Sequence, residues 1–129
     1  MKLKYQEELN KIDNCPSQNE KGEKTLFRCV ENPMDENSFI PNAVLLKPRY
    51  QDHCIAWGIS LFNSLETANQ MLLNLSKKKS LNYSKVAKSV INDEDGVKHS
   101  SKNKKHYTLF PAIDVNLSEK FEIIEEDEK

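Results

Sequence analysis

The chain has 129 residues, 37% apolar and 30% charged, with a formal net charge of −1 and a mean hydropathy of −0.73. That length supports one hydrophobic core without metals or crosslinks, so a single domain over 1–129 is expected, with 1–24 loosely attached and 125–129 frayed. The charge balance excludes an overall field toward nucleic acid or acidic lipid, and no apolar run approaches the roughly 20 residues of a membrane helix.

Residues 1–13 carry Leu3, Tyr5, Leu9 and Ile12 as apolar points and predict a short N-terminal helix. The polar stretch Asn14 to Lys24, with Cys15-Pro16-Ser17 and Gly22, predicts a loop. Thr25 to Val30 predicts a strand whose alternation puts Leu26, Arg28 and Val30 on one face and Phe27 and Cys29 on the other. Glu31 to Tyr50 is interrupted by Pro33, Pro41 and Pro48 and predicts a long ordered connection, with Phe39, Ile40 and the 43–46 run packing down.

Ile55 to Phe62, which holds the chain's single tryptophan, Trp57, predicts a buried strand, with Gly58 permitting close backbone approach. A helix over about 64–76 follows. Asn63 or Ser64 is its N-cap, Glu66 sits in capping-box position, and Leu65, Ala68, Met71, Leu72 and Leu75 form one apolar stripe. Lys85 to Ile91 predicts a strand, Asn92 to Gly96 a turn, and Val97 to Ser101 a short return strand. His106 to Phe110 predicts a strand closed by Pro111, and Phe121 to Ile124 a last strand. The implied fold class is α+β, a mainly antiparallel sheet of about five strands with one amphipathic helix packed on it.

Three cysteines at irregular spacing do not read as a disulfide framework, and the first residues lack the apolar stretch of a signal peptide. A reducing, cytoplasmic setting is therefore expected. The Lys-, Asn-, Ser- and Ile-rich composition hints at a bacterial or phage origin. No CxxC or HxxxH spacing suggests a metal site. The best cysteine–histidine pair for nucleophilic chemistry is Cys54 with His106. The glycines are scattered, and no phosphate-cradling loop is present.

Arg28 lies on an early strand, Ser60 on a second strand that leads into a helix, and Glu122 or Glu125 near the last strand. That order of arginine, serine and acid resembles the order in ADP-ribosyltransferase-fold proteins. The resemblance implies that Arg28 holds the phosphates of NAD, Ser60 orders the nicotinamide side, and the acid stabilises an oxocarbenium-like transition state. The chain departs from that family in reading Ile59-Ser60-Leu61 in place of Ser-Thr-Ser, and in lacking a Glu-x-Glu before a strand.

The first expectation is a protein-partner-binding module that needs no cofactor and recognises its partner through the 33–50 segment, with Phe39, Arg49 and Tyr50 as contacts. The second is the NAD-directed enzyme using Arg28, Ser60 and Glu122. The third is a nucleic-acid-binding accessory using Lys98 to Lys105 with His99, His106 and Tyr107.

Overall fold

The computed structural model describes residues 2–16, 19–45, 51–77 and 83–124. Its strands are β1 (Lys24–Val30), β2 (Ile59–Phe62), β3 (Lys85–Ile91), β4 (Gly96–Ser100), β5 (His106–Pro111) and β6 (Glu122–Ile123). They form one sheet in the order β4-β5-β2-β1-β3-β6 with antiparallel pairing throughout. The helices are α1 (Gln6–Asn10), α2 (Asn42–Leu45), α3 (Leu65–Ser76) and α4 (Leu117–Lys120), with 3₁₀ turns at Glu36–Phe39, Cys54–Trp57 and Asp93–Asp95. The α+β class is as the sequence predicts, with six strands among the described residues.

Helix α3 forms where its apolar spacing and cap place it. The Ser64 hydroxyl accepts from the Thr67 amide at 3.1 Å, satisfying one of the orphan donors of the first turn. Leu65, Ala68, Met71, Leu72 and Leu75 then face Phe27, Cys29, Phe62 and Val86 on the sheet. Ala68 is fully buried there because a larger side chain would hold the helix away from the strands.

The predicted alternation along β1 is realised. Phe27 and Cys29 meet α3. On the other face Leu26 and Val30 join Ile59, Leu61, Ala87, Ile91, Tyr107 and Leu109 under Leu117 and Phe121. A third cluster (Leu3, Leu9, Ala43, Trp57 and Phe110) lies beside Phe110 at the other end of the α3 face. The sheet is thus covered on both faces, with α3 and an N-terminal lobe sharing one of them.

Two expectations change. The apolar run 55–62 is not one strand: Cys54–Trp57 is a 3₁₀ turn and the strand begins at Ile59. Gly58 separates them, because a Cβ there would stand 2.3 Å from Thr108 Cγ2 and 3.1 Å from the Leu109 carbonyl oxygen. Residues 1–24, expected to be loosely attached, are fastened at several points over their described part. Leu3 bridges to Ala112. Leu9 has no exposed surface. The Glu20 amide donates to the Lys98 carbonyl at 2.6 Å, which covers the outer edge of β4. Segment 125–129, expected to fray, lies outside the described residues.

Candidate interaction surface

The order Arg28, Ser60, Glu122 does not become a site. In β1, Arg28 is 9% exposed and shares the face of Leu26 and Val30. Strand β1 meets β2 at the single pair Phe27–Phe62, and beyond it the ladder opens. The Arg28 side chain fills that opening: Nη1 donates to the Ser60 carbonyl at 2.8 Å and Nε to the Ser38 carbonyl at 2.9 Å. Phe39 stacks on the guanidinium, 5.5 Å from Cζ to the ring centroid. Burial pulls the Arg28 pKa below its ordinary value, with Tyr83 opposing, and a guanidinium remains charged regardless. Arg28 therefore fastens three backbone segments together.

Phe27 opposite Phe62 fixes the parity of β2, so the Ser60 side chain emerges on the α3 face, away from Arg28. There its hydroxyl meets His106 Nε2 at 2.6 Å. Phe62 packs edge-on against the His106 ring with centroids 5.5 Å apart. Burial, and then His99, hold the His106 pKa below its ordinary value. Glu122 is exposed on β6, opposite Lys88, two strands away from β1. Among the described residues the convergence that NAD chemistry demands is absent; Glu125 lies outside them.

The other expected sites are rearranged in the same way. Cys54 is bonded to Cys15, across 39 residues of sequence, so it offers no thiolate to His106 and is not a free core residue. Cys29 is the free cysteine: it is buried, its Sγ points to the Ala68 carbonyl at 3.4 Å, and burial pushes its thiol up to about 11. In the basic segment, Lys98 has no exposed surface and its Nζ meets Asp93 Oδ1 at 2.9 Å. Lys104 pairs with Glu20 at 2.9 Å. Tyr107 is buried on the face opposite His106. The positive face that nucleic acid would need is therefore broken up.

Of the expected contacts in 33–50, Phe39 belongs to the core, its ring 5.2 Å from that of Phe121. Arg49 and Tyr50 lie outside the described residues. Leu45, expected to pack down with the 43–46 run, and Ile55, expected in a buried strand, are instead 55% and 51% exposed. They stand on α2 and the 54–57 turn, two elements that pack against each other. A four-residue helix presents one side to the core, so Ala43 is buried and Leu45 is not.

This lobe is tied together from within. Gln51 Nε2 donates to the Ala43 carbonyl. Trp57 Nε1 donates to the Gln51 carbonyl at 2.9 Å, and its ring packs on Tyr5 at 5.5 Å. Ala43 and Trp57 are buried beneath, as was expected of the indole. The Cys15–Cys54 bond joins the lobe to the segment that follows α1. Closing a loop of that length restricts the unfolded chain by about 4 kcal/mol in the chain-entropy account.

On the other face of the sheet, a cleft of about 280 Å³ opens between Lys4, Phe39 and the 113–118 segment. Lys4 Nζ, its cation, is engaged by the Val115 carbonyl at 2.7 Å. Among the described residues no group of three or more His, Cys, Asp or Glu side chains is placed to hold a metal ion, and no helix is long and apolar enough to cross a membrane. No protein-family model, curated protein or solved structure matches the chain.

Proposed function

We propose that this domain binds another protein through the lobe made by α2 and the 54–57 turn, with Leu45 and Ile55 as its apolar contacts. The observation that carries the reading is their pairing. A single exposed aliphatic side chain is ordinary. Two of them, each more than half exposed and on touching elements of a crosslinked lobe, support an apolar contact surface. Preorganisation matters because ordering a contact surface on binding costs affinity, and the disulfide and the Gln51 and Trp57 hydrogen bonds tie α2 and the 54–57 turn in place. Segment 46–50, with Arg49 and Tyr50, lies in sequence between the two elements, and those residue types suit the rim of such a contact.

The disulfide supports an oxidising setting in place of the expected cytoplasm, since thiols in reducing compartments are kept reduced.

The test uses the full chain and the double variant Leu45→Asp/Ile55→Asp, both immobilised and exposed to an extract of the producing cells. The expected result is a protein retained by the wild type, binding directly when purified, and lost from a double variant of unchanged thermal midpoint. Sedimentation of the chain alone tests whether that partner is a second copy. Equal retention on both baits, with a monomeric chain, overturns the reading.

A further inference from the structure

We infer that Ser60 is a nucleophile and His106 its general base: the Ser60 hydroxyl accepts an acyl group from an activated carboxylic ester. The inference does not rest on the docking reading, whose contacts stand on α2 and the 54–57 turn.

The contact carries it. Ser60 Oγ and His106 Nε2 stand 2.6 Å apart, within the reach that a nucleophile and its base require. Strands, and not loops, set their placement. Ser60 pairs with Thr108 and Phe62 with His106, so Ser60 and His106 are diagonal neighbours on two bonded strands. His99 pairs with Thr108 from the other side, which puts it on the same face of the sheet. Sites carried by strands hold their geometry more closely than sites on loops.

The base is held while the nucleophile is open. Phe62 meets the His106 ring edge-on, with centroids 5.5 Å apart. The ring is half-buried, and the lowered pKa that burial and His99 give it favours the unprotonated form a general base needs. Ser60 is exposed, so an ester reaches Oγ from solvent.

The fold holds β2 in place by other means. The strand is paired with β5 from Ile59 to Phe62, and Arg28 grips the Ser60 carbonyl from the opposite face. The hydroxyl and the imidazole are thus available for chemistry.

The step balances. Oγ attacks the ester carbonyl carbon as its proton passes to His106 Nε2. The bond from that carbon to the leaving oxygen breaks, and the leaving oxygen takes the proton from Nε2. An acyl-Ser60 ester and an alcohol result, with no change of oxidation state.

The probe is an alkyl fluorophosphonate, which traps an activated serine as a phosphonate ester that does not turn over. The folded full chain, the same chain unfolded in urea, and the His106→Gln variant are labelled under one set of conditions, and peptide mapping by mass spectrometry locates and times the adduct. The expected result is labelling of Ser60 in the folded wild type at least about 100-fold faster than labelling of the chain's other serines. It is also expected to be at least about 100-fold faster than labelling of Ser60 in His106→Gln or in the unfolded chain. The unfolded chain supplies the same comparison if His106→Gln does not fold. Labelling of Ser60 at the rate of the other serines overturns the inference. So does equal labelling of Ser60 with and without the His106 imidazole.

Discussion

Arg28 and Ser60 touch across an opening in the sheet through the backbone of one of them: Arg28 Nη1 donates to the Ser60 carbonyl at 2.8 Å, while the Ser60 hydroxyl lies on the opposite face against His106. The pair that resembles a nucleotide site in sequence is a structural fastening in three dimensions. Replacing Arg28 by Met keeps most of the volume but leaves the Ser38 and Ser60 carbonyls without their donor. The expected cost is about 2–4 kcal/mol, since each carbonyl left without its donor bears the desolvation cost of an unmade hydrogen bond. Ser60→Ala, by contrast, removes a hydroxyl on an exposed residue and is expected to cost under about 1 kcal/mol. Urea unfolding of the two variants checks the asymmetry; equal effects would mean that Arg28 is not the fastening.

His106 predicts how stability depends on pH. Its folded pKa lies below the ordinary 6.5, because of burial first and His99 second. The unfolded chain then binds the proton more readily, so stability is fully present above 6.5 and is lost as pH falls toward the folded value. Glu20 and Asp93, whose carboxyls are lowered chiefly by their hydrogen bonds to Lys104 and Lys98, lose their contribution at lower pH still. The thermal midpoint of the wild type is expected to fall between about pH 7.5 and about pH 5.5, and that of His106→Gln to fall less over the same interval. Parallel falls would contradict a His106 whose pKa is lowered in the folded chain.

Gly58 predicts a packing effect next to the lobe. An added Cβ would lie 2.3 Å from Thr108 Cγ2, 3.1 Å from the Leu109 carbonyl oxygen and 3.3 Å from Phe110 Cε1. Gly58→Ala is expected to destabilise by about 1–3 kcal/mol through overpacking and to disturb the near-ultraviolet signal of Trp57, its neighbour. Thr108→Ser removes the nearest obstructing methyl, so the double variant is expected to recover part of the loss. The Leu109 carbonyl prevents full recovery. A double-mutant cycle with no coupling would contradict the close approach of Gly58 to β5.

What was legible in the sequence was set by local pattern. The stripe from Leu65 to Leu75 and the Ser64 cap define α3 without reference to the rest of the chain, and the alternation in β1 assigns its faces correctly. What was not legible depends on distant partners. Arg28 is buried because carbonyls 10 and 32 residues away accept its protons, and nothing near it in sequence signals them. Ser60 and His106 meet because the antiparallel register sets Ser60 opposite Thr108 and His106 opposite Phe62, which makes the two diagonal neighbours on one face. Lys98 looked solvated because lysine usually is, yet it lies buried where 19–22 covers β4, paired with Asp93. An odd number of cysteines at positions 15, 29 and 54 permits any pairing, and only the fold brings the Cys15 and Cys54 Cα atoms within 5.6 Å.

That pairing is central to the account, because it joins the 54–57 turn to the segment that follows α1. Peptide mapping of the purified, non-reduced chain tests it most directly. The account predicts one crosslinked species joining the peptides that contain Cys15 and Cys54, with Cys29 recovered as a thiol that reacts only after denaturation. Recovery of Cys29 in a crosslink, or of three freely reactive thiols, would contradict it.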